Sequence, residues 1–246
     1  MSIVKQWYFV FSAAMLCGVG ISFAQSITVN AHVVIESQKQ SPHRLSHDSN
    51  AVLWLTPSKG WTGSPPRSQT LGSRPQLVQK NKQFTPHVLA VEVGSVVDFP
   101  NHDPFFHNVF SLFNGKRFDL GLYEAGSTRS VHFDRAGICY IFCNIHPQMS
   151  AIVVVVNTPY FAVSNKQGDV VIPNVPIGQY KLNVWEEHCS AKKLQEASRE
   201  VMIGTDASFL GTIRLQQSQK LVLVHPNKYG RNYDPEVFSS PIYSQP

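Results

Sequence analysis

The sequence predicts an all-β protein, and three observations carry that prediction. Valine and aromatic residues are plentiful, with 15 Phe, 8 Tyr and 4 Trp, and such side chains suit a pleated, half-buried surface. The 16 Pro and 15 Gly are spread along the chain, which cuts it into short segments. Several of those segments alternate apolar and polar residues with the period of two that strands require. Apolar residues make up 43% of the 246 positions and charged residues 15%. That is enough to bury a core and is not a disordered composition. The length suits one large domain or two small ones.

Formal net charge is +5, but Lys and Arg are scattered. Without a basic stripe or a stacking platform, the composition points away from nucleic acid and leaves a general attraction to acidic proteins. At the N-terminus Lys5 is the only formal charge before Glu36. The apolar run from Trp7 ends in Ser22-Phe23-Ala24, which puts small residues at the −3 and −1 positions of a cut before Gln25. Residues 1–24 therefore read as a signal peptide, Cys17 included as a passive member. Cleavage predicts a periplasmic or otherwise extracytoplasmic protein with no membrane span. The run is nearly long enough to cross a bilayer, so an uncleaved anchor is the alternative.

The elements follow in order. A first strand lies within 27–37, and Ala51-Val52-Leu53-Trp54-Leu55 forms a second. Residues 56–76, rich in Pro, Gly and Ser, read as a long surface loop. His43 and His47 lie in a polar stretch that reads as solvated rather than as a metal site. From Phe84 the pattern sharpens. Strands are predicted at 89–93, 96–99, 107–112, 118–120, 131–134 and 138–142, with a β-branched buried strand at 151–156. A second set follows at 160–164, 170–175, 179–185, 199–203 and 209–215. The tail after 216, rich in Asn, Tyr, Pro and Ser, reads as extended or partly disordered.

One stretch concentrates chemistry. Cys143-x2-His146-x2-Met149 offers a thiolate, an imidazole and a thioether within seven residues. His107 supplies a second imidazole from a neighbouring strand. Soft sulfur with imidazole excludes Mg²⁺ and Ca²⁺ and leaves copper and zinc. Zinc rarely takes a thioether, so Met149 tips the choice to copper. His102, Asp103 and Pro104 read as loop and turn residues. Cys139 lies on the strand leading to Cys143. Four residues at about 3.3 Å each separate their Cα atoms by roughly 13 Å. Cys139 is therefore expected to be a buried small hydrophobe rather than a partner in a binuclear site. Whether Cys139 pairs with Cys189 stays open.

The ordered set Phe84-x-Pro86, Gly94-x2-Val97-x-Phe99-x-Asn101, His107-Asn108-Val109 and Gly137-x5-Cys143-x2-His146-x2-Met149 resembles the cupredoxins. It looks like plastocyanin and, in its short loop spacing, most like amicyanin. The resemblance covers 84–157 well and 27–55 loosely. It implies a Greek-key β-sandwich with one mononuclear type 1 copper held by His107, Cys143, His146 and Met149. It further implies that Asn108 ties the first ligand's strand to the cysteine loop by hydrogen bonds. Residues 158–216 resemble, more loosely, the carboxypeptidase-regulatory-like (transthyretin-like) β-sandwich, through Asn165-Lys166-Gln167-Gly168-Asp169 and Val175-Pro176-x-Gly178-x-Tyr180. The whole is similar to exported bacterial plastocyanin-like proteins, some of them labelled methylamine-utilisation proteins.

The expected organisation is a signal peptide at 1–24, the copper domain at 25–157, the second sandwich at 158–216 and a tail at 217–246. The expected function is one-electron carriage between redox proteins such as a cytochrome c or a dehydrogenase. A surface patch of Ile145, Pro147 and Phe105 or Phe106 would serve for docking. Copper trafficking, or an envelope interaction role without electron transfer, is the alternative. An enzyme with several coppers would need further histidine pairs, and no His-x-His occurs.

Overall fold

The structure, a computed structural model, describes residues 25–37, 50–58, 73–112, 116–218, 227–229 and 231. The expected signal peptide, His43, His47 and most of the 56–76 loop lie outside these residues. The chain begins with β1 (Ser26–Ser37) and β2 (Val52–Pro57). Nine strands follow: β3 (Val78–Lys80), β4 (Gln83–Thr85), β5 (Val88–Glu92), β6 (Ser95–Pro100), β7 (His107–Ser111), β8 (Phe118–Tyr123), β9 (Thr128–Phe133), β10 (Gly137–Phe142) and β11 (Ser150–Val156). Then come β12 (Phe161–Val163), β13 (Asp169–Pro176), β14 (Gly178–Trp185), α1 (Ala191–Ala197), β15 (Arg199–Ile203) and β16 (Phe209–Gln217). The class is all-β, as the sequence predicts, with one short helix added.

The metal-site sandwich sets a five-stranded sheet, ordered β5-β11-β10-β7-β8, over the β6-β9 pair and the β3-β4 hairpin. Its core joins Val97 and Phe99 of β6 and Val131 and Phe133 of β9 to Ile141, Val153 and Val155 of the large sheet. Strands β10 and β11 pair antiparallel in unbroken register from Gly137↔Val155 to Phe142↔Ser150. The residues between Phe142 and Ser150 are therefore a hairpin loop, and they are the residues that carry Cys143, His146 and Met149.

The second sandwich packs the sheet β13-β1-β16 on the sheet β12-β2-β14-β15. Its membership differs from the expected domain boundary. The sequence reading places residues 27–55 in the copper domain, yet β1 pairs with β13 and β16, and β2 with β12 and β14. The physical reason is burial. Val29, Ala31, Val33 and Ile35 alternate inward along β1 and share a core with Leu53, Leu55, Val170, Tyr180, Leu182 and Ile213. An alternating strand fits any half-buried sheet edge, so its pattern does not say which sheet it joins. Along the chain, the metal-site sandwich is inserted between two strands of the other.

The two sandwiches share a wall. Val52 and Trp185 of the second meet Val88, Ile152, Val154 and Val156 of the first. Strand β11 is consequently buried on both faces, Ile152, Val154 and Val156 one way and Val153 and Val155 the other. A continuous β-branched run is what such a strand requires. Helix α1, absent from the expected elements, is capped by Ser190, whose hydroxyl accepts from Lys193 N–H.

Candidate metal centre

Each expected ligand residue is placed by local structure. Cys143 follows β10 directly, and its N–H donates to the Met149 carbonyl at 3.2 Å. The His146 carbonyl accepts the Met149 N–H at 2.9 Å, closing a turn with Pro147 at the position where proline's fixed φ suits it. His107 opens β7, whose five residues are all buried between β10 and β8. The approach to β7 is shaped by Asn101. Its Nδ2 donates to the carbonyls of Phe105 (2.8 Å) and Tyr123 (3.3 Å), and its Oδ1 accepts the Asp103 N–H (3.0 Å).

These elements bring three donors together. Cys143 Sγ lies 3.7 Å from His107 Nδ1 and 3.6 Å from His146 Nδ1, and all three atoms fall within 4.8 Å of one another. A metal bonding nitrogen at about 2.05 Å and sulfur at about 2.3 Å, with angles between tetrahedral and trigonal, separates S and N by roughly 3.6–3.8 Å. The spacing fits a shared ion. Among the described residues this is the single His, Cys and carboxylate group so arranged. Met149, at the far end of the loop, is buried in the same core cluster as Cys143. A buried cysteine sulfur with two buried imidazoles is a donor set that suits copper or zinc.

The electrostatics keep both imidazoles neutral, with a lone pair to give. Burial pushes His107 down, against the pull of Asp103. Burial, aided by His107 and Lys82, lowers His146 to about 4. Burial raises the Cys143 thiol, while the backbone N–H groups of Asn108, Ile145 and His146 face the sulfur and favour its thiolate. A cation would complete that balance, since a coordinated thiol loses its proton outright.

From the sequence Asp103 reads as a turn residue, and the structure gives it more to do. Its Oδ2 accepts from His107 Nε2 at 2.8 Å, so the Nε2–H tautomer leaves the Nδ1 lone pair for an ion. The same carboxylate accepts the N–H groups of Asn81 (2.6 Å) and Lys82 (3.0 Å). These two residues form the β3-β4 turn, with φ of 55° and 56°, a left-handed pair of the type I′ kind. Burial pushes the Asp103 carboxyl up, but the hydrogen bonds from Lys82, His107 and Asn81 outweigh it and hold the group below the ordinary value. The only hint in the sequence is a carboxylate four residues before a candidate ligand.

The other expected residues divide. Asn108 does join the two ligand segments, but through its backbone N–H toward sulfur. Its side-chain Nδ2 turns to Asp119 Oδ1 at 2.6 Å. Cys139 is fully buried opposite Val153, its thiol pushed up to about 11 by burial, and lies outside the donor group. Cys139 and Cys189 do not pair with each other, and Cys189 Sγ donates to the Gln216 carbonyl. His102 is exposed and outside the group. Phe105 covers both histidines, with ring centroids 5.2 Å from His107 and 5.6 Å from His146. Phe106 instead turns outward, 55% exposed.

Among solved structures the chain is similar to several copper proteins. A copper-containing nitrite reductase from Thermus scotoductus SA-01 aligns at 24% identity over 35% of this chain and 23% of its own, with a TM-score of 0.33. A purple cupredoxin from Nitrosopumilus maritimus aligns at 24% identity over 33% of this chain and 99% of its own, with a TM-score of 0.31. A methionine-to-alanine mutant of amicyanin, as Cu(I), aligns at 18% identity over 42% of this chain and 98% of its own, with a TM-score of 0.33. The chain thus spans about a quarter of the nitrite reductase and nearly all of the two smaller proteins. No family model matches the chain, and no curated protein matches it. The likeness covers one part of the molecule, and the site stands on its own geometry.

Proposed function

We propose that the chain holds one type 1 copper ion at His107, Cys143, His146 and Met149 and carries single electrons between proteins outside the cytoplasm. The observation that supports this most is the convergence of two buried imidazole Nδ1 atoms on one buried thiol. Bound copper supplies a Cu(I)/Cu(II) couple. The chain's residues supply rigidity. Asp103 fixes the His107 ring, the 146–149 turn fixes His146 and Met149, and β10 fixes Cys143. Ligands held from several sides move little when the charge on an ion changes, which favours fast transfer.

Docking is assigned to the surface around His146. Exposed Phe106 and half-buried Ile145 and Pro147 offer apolar side chains there, and transient redox encounters use small interfaces. The partner is a redox protein such as a cytochrome c or a dehydrogenase. Among the described residues no helix is long and apolar enough to cross a membrane.

The test is to load the purified chain with Cu(II) and record visible and EPR spectra beside Cys143→Ala. An intense thiolate-to-copper band, lost in the variant, is expected, and its absence from the parent chain refutes the assignment. Reversible oxidation with copper retained supports a carrier. Release of copper on reduction assigns the chain to trafficking instead.

A further inference from the structure

Lys228, in a stretch whose composition reads as an extended tail, lies against the candidate metal loop. Asn227 Oδ1 accepts the N–H groups of Tyr229 and Arg231, each at 3.0 Å, and the Asn227 N–H donates to the Arg231 carbonyl at 2.8 Å. The segment is therefore a closed turn. It is fastened twice through one residue. The Lys228 N–H donates to Asn144 Oδ1 at 2.9 Å, and Lys228 Nζ donates to Asp119 Oδ2 at 2.9 Å.

Both anchors lead to the site. Asn144 is the residue after Cys143. Asp119, on β8, uses its other oxygen to accept from Asn108 Nδ2 at 2.6 Å and from the Gly121 N–H at 2.9 Å. Asn108 follows His107, and its N–H faces the Cys143 sulfur. Lys228 thus links the two chain segments that carry His107 and Cys143, which lie 36 residues apart.

We propose that the segment around Lys228 is a clamp on the metal loop, with Lys228 a positioning residue that keeps the N–H groups of Asn108 and Ile145 aimed at the sulfur. This rests on the copper reading only for its effect on the ion. Hydrogen bonds to the sulfur stabilise the state with more negative charge on it, which is the reduced one. Loosening them lowers the reduction potential and shifts the thiolate-to-copper band.

The test compares the parent chain with one ending at residue 226, with Asn144→Ala, and with Lys228→Met and Lys228→Arg. In the metal-free proteins, amide hydrogen exchange is followed at residues 144–149 and along β11. Loss of the clamp is expected to speed exchange in the loop about tenfold, as for one or two hydrogen bonds removed, while β11 keeps its protection. Lys228→Arg retains slow exchange. In the copper-loaded proteins, the truncated chain and Asn144→Ala are expected to show a lower potential and a shifted band. Unchanged loop exchange in the truncated chain overturns the clamp, as does faster exchange in loop and β11 alike. If the parent chain gives no thiolate-to-copper band, the copper reading falls while the exchange data still decide the clamp.

Discussion

At the scale of single residues, the candidate site divides into groups that could donate to an ion and groups that aim them. The three donors that the fold groups, His107, Cys143 and His146, were legible because their chemistry is narrow and their order and spacing suit one tight loop plus one neighbouring strand. Asp103 was not legible. Its task depends on a turn at Asn81 and Lys82, some twenty residues earlier, that the fold brings against it. Replacing Asp103 by Asn keeps the volume but removes the charge and one acceptor atom. Copper affinity in Asp103→Asn is expected to fall by about 10–100-fold, the usual cost of losing a ligand's supporting hydrogen bond. Competition against a copper chelator measures it, and an unchanged affinity would leave Asp103 with a role in the turn alone.

At the scale of elements, strands with clean alternation or β-branched runs were readable, and those set by contacts were not. The β3-β4 hairpin is only three residues a side, too short to show a period. Helix α1 buries none of its seven residues, so it has no apolar stripe to read. The turn before β13 carries a sharper constraint. Gly168 sits at φ +91°, and a Cβ there would overlap the Val33 carbonyl oxygen, while the Gly168 carbonyl accepts the Val33 N–H at 2.7 Å. Gly168→Ala is expected to push the turn off β1 and cost roughly 1–3 kcal/mol. Urea unfolding checks this, and a change within a few tenths of a kcal/mol would contradict the close approach.

At the scale of the whole molecule, two sandwich cores share a wall, and a polar contact lies near its edge. His87 Nε2 is 2.7 Å from Glu187 Oε2, and Nδ1 is 3.3 Å from the Ser150 carbonyl. Both ring nitrogens face acceptors, so the imidazolium suits the place best. The hydrogen bond that His87 donates to Glu187 raises His87 above its ordinary 6.5, against burial and nearby His188. Because the folded protein holds that proton more tightly, the contribution is full below about pH 6.5. It is lost as pH rises through the raised value. The contact is partly exposed, so solvent screening keeps it small. Thermal unfolding of the parent chain is expected to lose stability over that rise relative to Glu187→Gln. Parallel pH profiles would show that the pair does not join the sandwiches. Two β regions were legible in the sequence, but the ownership of β1 and β2 was not, because their partners lie more than a hundred residues away.

That ownership has a consequence in time. Strand β1 pairs in parallel with β16, with Val33 opposite Ile213, so during synthesis β1 waits for a partner made much later in the chain. Contacts of such sequence separation form slowly. Every residue of the candidate metal centre, by contrast, lies between β3 and β11. The inserted sandwich is expected to close, with its candidate site formed, while the strand that precedes it still has no partner.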